Sequence, residues 1–160
     1  MANSRFVFTP FSAEFPASNI PQLQLVNRRP VLSFDASTDE AAQWTAVAPQ
    51  GLTGTITVLV YYIMASAVAN AVIFQASLEA ITDGDAIDLD AGDSFDTANS
   101  SGSITVPGTA GYLDVITITM TNADSIAAGD LFRLKLNRDA DTDTATGDAH
   151  VLAVELRDNS

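Results

Sequence analysis

The sequence predicts an all-β chain: an antiparallel, jelly-roll-like β-sandwich of about eight strands with an extended N-terminal arm. Three observations carry this. Apolar residues recur with a period of two, the spacing that puts side chains on one face of a strand. β-Branched and aromatic residues fill those runs, and clusters of Asp, Asn, Gly and Pro separate them. The 20 acids include only four Glu and there is a single Lys, a balance that suits turns rather than helix interiors. The division expected is an arm over residues 1–29 and a sandwich over residues 30–160.

Across residues 1–30, Phe6, Phe8, Phe11 and Phe15 are interleaved with Pro10, Pro16, Pro21 and Pro30. Proline lacks an amide donor and restricts the residue before it, which argues against a long helix or a central strand. So many phenylalanines are too apolar for an idle linker. The expectation is an extended segment that docks its rings on a neighbouring subunit or partner, the alternative being that it folds back over its own domain.

The body opens with short strands at Val31–Asp35 and Gln43–Val47, separated by a polar turn. Trp44, the only Trp, is a core anchor in preference to a sugar-stacking platform. The stretch from Gly54 to Ile81 alternates in both halves: Ile56, Val58, Val60 and Tyr62, then Val72, Phe74, Ala76 and Leu78. It predicts a hairpin whose connection is Ala65 to Asn70. Ile56 to Phe74 is also long and apolar enough to suggest a membrane span. The period of two, the polar Thr57, Ser66 and Asn70, and the absence of Lys or Arg between Arg29 and Arg133 favour strands. Ile104–Val106, Tyr112–Thr121, Phe132–Leu136 and His150–Arg157 complete the set, the last three by clear alternation.

Charge and composition exclude several functions. Net charge is −13, which opposes nucleic acid and anionic membranes, since both are met by clustered cations. The charge is uneven: residues 1–29 hold three Arg against one Glu, while the remainder holds four cations against nineteen acids. There is no Cys for a disulfide or thiolate site. The N-terminus shows no apolar stretch of signal-peptide length, and Ala2 is not the glycine that myristoylation needs.

No catalytic motif stands out. The single His, His150, begins the last strand with the parity of Leu152, as a half-buried residue would, and neither GxSxG, GxxxxGK nor GxGxxG occurs. The expectation is a protein that is no enzyme and carries no cofactor. Asp139, Asp141 and Asp143 are weak metal candidates: they start a D-x-D-x-D calcium loop, but Thr144 replaces its turn glycine and His150 its final Glu. Solvated turns are the simpler reading, as for Asp83, Asp85, Asp88, Asp90 and Asp93.

The segments PVLSFDASTDE, APQGLTG and ADSIAAGDLFRLKLNRDADTDTATGDAHVLAVELRD resemble jelly-roll structural proteins of tailed-bacteriophage virions. The resemblance spans residues 30–158 and is an overall pattern without a functional signature. It implies a virion structural protein, of the capsid decoration or cement type. Such a protein would be made in the host cytoplasm, sit on the capsid surface, and assemble as a homotrimer on the major capsid protein. Phe6, Phe8, Phe11 and Phe15 would then fill partner grooves while Arg5, Arg28 and Arg29 pair with acids. The alternative is a carbohydrate- or receptor-binding module on the virion surface or tail fibre, with an aromatic platform from Trp44, Tyr61, Tyr62 or Tyr112.

Overall fold

The computed structural model describes residues 3–159, so Ala2 lies outside the described residues. Among these the chain forms twelve strands and one 3₁₀ turn, Pro10–Ser12. The strands are β1 (Asn3–Phe8), β2 (Gln22–Val26), β3 (Arg29–Phe34), β4 (Glu40–Val47), β5 (Ile56–Met64), β6 (Ala71–Val72), β7 (Phe74–Ile81), β8 (Asn99–Ser100), β9 (Ile104–Thr105), β10 (Asp114–Met120), β11 (Leu131–Arg138) and β12 (Ala149–Asp158). Three of the twelve, β6, β8 and β9, are two-residue pairings. Of the remaining nine, seven (β3, β4, β5, β7, β10, β11 and β12) fall where alternation predicts strands, and β1 and β2, from the expected arm, join them in an antiparallel sandwich.

The first sheet has the order β10-β5-β12-β3-β2, with β1 also on β12; the second has the order β4-β11-β7-β8. β12 gives one edge to β5 and divides the other between β3, at residues 149–151, and β1, at residues 154–158. Ile56, Val58, Val60, Tyr62, Ile116, Ile118, Val154 and Leu156 of the first sheet meet Trp44, Phe74, Leu78, Phe132, Leu134 and Leu136 of the second. Each set keeps one parity along its strand, so period-two sequence becomes a continuous buried layer.

Two expectations give way. Ile56–Tyr62 and Val72–Leu78 do not form a hairpin: β5 pairs with β10 and β12, and β7 with β11 and β8, in opposite sheets. The connection carries no Asn-Gly or similar two-residue turn to hold the strands side by side. It arches across the end of the sandwich instead, and the strands meet through side chains, with Tyr62 edge-on to Phe74 at 6.0 Å between ring centroids. The membrane-length run is thus split between two sheets, and among the described residues no helix is long and apolar enough to cross a membrane.

The leader is extended, but its first part belongs to the sandwich. β1 pairs with β12, Phe8 is buried in the core and Phe6 packs against it. Phe6 stacks on Phe8 at 5.6 Å, Phe8 on Trp44 at 5.8 Å, and Phe6 meets the edge of Phe132 at 5.3 Å. The Trp44 indole N–H donates to the Thr9 carbonyl at 3.1 Å. The leader then bridges Gln43 of β4 through Glu14 and returns as β2. Pro10, Pro16 and Pro21 fall at the corners of this path, between strands, where a missing N–H costs nothing, while Pro30 is taken into β3 opposite Leu25. A separate arm is therefore replaced by a strap joining the two sheets. Phe8→Ala is expected to destabilise the fold by about 3–5 kcal/mol in chemical denaturation; unchanged stability would show that the strap is dispensable to the core.

Candidate functional site

The outer face of the first sheet carries a groove of about 340 Å³. Three segments build it. The first is the β2–β3 hairpin, where Val26 and Arg29 are paired and the loop between them is Asn27-Arg28. Both loop residues have positive φ, 46° and 66°, as a type I′ turn requires. The second is the bulge in β12: Val151 faces Tyr62 and Ala153 faces Tyr61, so Leu152 is unpaired and turns outward. The third is the turn before β10, where Gly111, at φ 80°, donates its N–H to the Met64 carbonyl at 3.0 Å. Val31, Ile63, Leu113 and Leu152 supply an apolar lining; Asn27 and Arg29 add polar groups at the hairpin. Apolar clefts of roughly 300–1,000 Å³ with a few placed polar groups are where small molecules bind.

Of the four candidate platform aromatics, the fold uses three. Trp44 and Tyr62 are buried, and the Tyr62 hydroxyl donates to Asp114 at 3.0 Å. Burial and the Asp114 charge push that phenol far above its ordinary pKa of 10. Tyr61 donates to Glu155 at 2.8 Å, which also raises its phenol, and Arg157 holds the same carboxylate at 2.7 Å. Tyr112 alone among them is open, at 64% exposure, between the groove residues Gly111 and Leu113.

The expected partner-binding residues are scattered. Arg5 pairs with the buried Asp158 at 2.9 Å and donates to the Gly51 carbonyl at 2.6 Å, tying the first strand to the last. Phe6 and Phe8 are occupied by the core, while Phe11 and Phe15 remain exposed on the strap. Arg28 and Arg29 lie at the hairpin, and neither reaches a carboxylate among the described residues.

The Asp139, Asp141 and Asp143 run is organised by a cation that alternation places in the core. Arg138 continues the parity of Leu134 and Leu136, and it is fully buried. Its Nε and Nη2 grip Asp143 at 2.8 and 3.3 Å, Nη1 donates to the Phe34 and Gly147 carbonyls at 3.2 and 2.8 Å, and Nη2 to Ala145 at 3.0 Å. Every guanidinium N–H is used. Asp139 instead accepts from Gln75 at 2.8 Å, and Asp141 is exposed. The three carboxylates point to different places, and among the described residues no group of three or more metal-ligating side chains converges.

A second cleft, of about 410 Å³, lies between the loop after β7 and the loop before β11. Its acids serve as caps: Asp124 accepts the Ala80 N–H at 2.7 Å, Asp85 the Thr82 N–H at 2.9 Å, and Asp130 the Thr82 hydroxyl and Ala127 N–H at 2.9 and 2.7 Å. Asp93 and the buried Glu79 both hold Arg133. His150 and Ser33 are cross-strand partners near Asp148, but the contacts do not form a relay. The Ser33 hydroxyl reaches Asp148 at 3.5 Å, and His150 Nδ1 has no hydrogen-bond partner among the described residues.

No protein-family model matches this chain, and no curated protein matches it in sequence. Its fold is similar to solved carbohydrate-binding modules. A family 35 module from an environmental isolate superposes with a TM-score of 0.54 at 11% identity, covering 95% of this chain and 92% of that one. A second, CBM35 from Cellvibrio japonicus Abf62, gives 0.50 at 11% identity over 98% and 92%. At this identity the likeness establishes the jelly-roll β-sandwich; it does not extend to a virion-protein family.

Two outcomes are expected. Arg138→Met leaves Asp143 and three carbonyls without their donor and should cost about 3–5 kcal/mol, with new protease sensitivity in residues 139–148; an unchanged urea midpoint would contradict this role. Burial holds the His150 imidazole below its ordinary value of 6.5, against the opposing pull of Asp148. The unfolded chain then binds the proton more readily, so this contribution is complete above pH 6.5 and shrinks as pH falls below it. Urea melts from neutral to acid pH should show a steeper loss for the wild type than for His150→Gln; parallel curves would refute the assignment.

Proposed function

We infer that the chain is a carbohydrate-binding module, non-catalytic, with its ligand in the groove between the β2–β3 hairpin and the Gly111–Leu113 turn. The observation that carries this reading is the groove itself. Ile63, Leu113 and Leu152 offer apolar surface to the C–H face of a sugar ring over the buried Val31, Asn27 and Arg29 can bond its hydroxyls, and Tyr112 stands exposed in the adjoining turn. The shared fold with two carbohydrate-binding modules supports it. A decoration role fastened by the leader loses its mechanism, because Phe6 and Phe8 fill this chain's own core. The resemblance to virion proteins favours a particle surface or fibre as the setting for such a module.

Binding to a panel of soluble polysaccharides and host-surface glycans by calorimetry tests the reading. At least one glycan should bind, and Arg29→Ala and Tyr112→Ala should each weaken it by roughly tenfold, the size of one lost charge-assisted hydrogen bond or ring contact. No binding across the panel, or affinities unchanged in both variants, would overturn it.

A further inference from the structure

β2 is an open edge of the first sheet: it pairs with β3 on one side and with nothing on the other among the described residues. Natural edge strands are usually blunted by Lys, Pro or a bulge. Gln22–Val26 has none of these, and on its core-side face Leu23 and Leu25 stand 48% and 68% exposed. The opposite edge strand, β10, differs, since Ile116, Ile118 and Met120 are turned into the core. The hairpin that ends β2 adds a second oddity. Arg28 occupies the second loop position of the type I′ turn at φ 66°, where glycine is preferred and an L-residue is strained. Among the described residues, four of the six Arg pair with carboxylates of their own chain, and Arg28 does not.

We propose that β2 is a self-association edge, pairing antiparallel with β2 of a second copy across a twofold axis at Gln24. That register sets each Leu23 opposite the partner's Leu25, so each exposed leucine gains an apolar neighbour. It also carries the Arg28 tip to the other end of the partner's β2. This end abuts the β3–β4 turn, because Gln22 faces Ser33 and the Ala41 N–H donates to the Asn19 carbonyl at 2.9 Å. The turn holds Asp35 and Asp39, and Glu40 opens β4 directly after it. Each copy thus offers a cation at one end of the strand and acids at the other, and a twofold brings unlike ends together twice. A chain of net charge −13 would otherwise repel its own copy, which gives the unpaired Arg28 a use that its strained backbone does not explain. The arrangement is independent of the glycan reading and replaces the expected trimer with a dimer joined by a continuous sheet.

Analytical ultracentrifugation of the full chain between about 1 and 100 µM brackets a micromolar dimer. The wild type should move from monomer to dimer in that range, more weakly at high salt. Leu25→Lys and Arg28→Glu should each raise Kd by at least tenfold, and adding Asp39→Arg to Arg28→Glu should restore part of the loss. Arg28→Gly should raise the thermal midpoint of the monomer by relieving the turn, yet weaken the dimer, which separates association from folding. Arg29 is left intact because it lines the groove. A monomer throughout, a trimer, or a dimer indifferent to Leu25→Lys and Arg28→Glu would each overturn the proposal.

Discussion

The Arg138 guanidinium is the contact on which the sandwich's loop architecture depends. Arg138 ends β11 in one sheet, yet it donates to Phe34 of β3 in the other, so a single side chain spans both layers. It also gathers Asp143, Ala145 and Gly147, which fixes the chain from the end of β11 to the start of β12. A buried charge is tolerated only when it is paired and every donor is met, and both conditions hold here. Close packing follows from the same point: a Cβ on Gly147 would come within 2.6 Å of the Ser66 hydroxyl and 2.9 Å of the Ala67 nitrogen. The β5–β6 connection can therefore lie against this loop only because residue 147 has no side chain.

The placement of β12 explains the groove. β12 is the strand that β5, β3 and β1 all share, and its bulge at Leu152 falls opposite Tyr61 and Tyr62 of β5. The bulge lets Val151 and Val154 both face the core while Leu152 turns outward beside Ile63. A rigid sheet thus supplies the floor, and two turns with positive-φ residues supply the walls. The strap performs a complementary task at the other face, closing the gap between the sheets with Phe6, Phe8 and the Trp44–Thr9 bond.

Most of the fold was legible in the alternation. The strands at 114–120, 131–138 and 149–158 fell within a few residues of their predicted positions because one face of each is plainly apolar. Strand partners were not legible. β5 and β7 alternate equally well whether they are neighbours in one sheet or opposed across the core, and only the missing turn residues argued for the latter. β1 and β2 were obscured by the prolines around them, although the matched parity of Phe6 and Phe8 is a strand signal. Of the groove, Arg29 and Tyr112 stood out in the sequence, but its floor did not: Val151-Leu152-Ala153-Val154 is apolar throughout, so no break in pattern marks the bulge. Arg138 could have been found, since a cation on the parity of Leu134 and Leu136 next to an Asp-rich run signals a buried pair.

Mapping amide shifts of the uniformly labelled protein during titration with a bound glycan tests the groove as the binding site most directly. Perturbations should concentrate at Asn27, Arg29, Ile63, Leu113 and Leu152, with the strap and the acid-capped cleft near Asp124 and Asp130 unmoved. Perturbations centred on that cleft, or on the outer face of the second sheet where Arg133 and Lys135 flank the Phe95 ring, would contradict it.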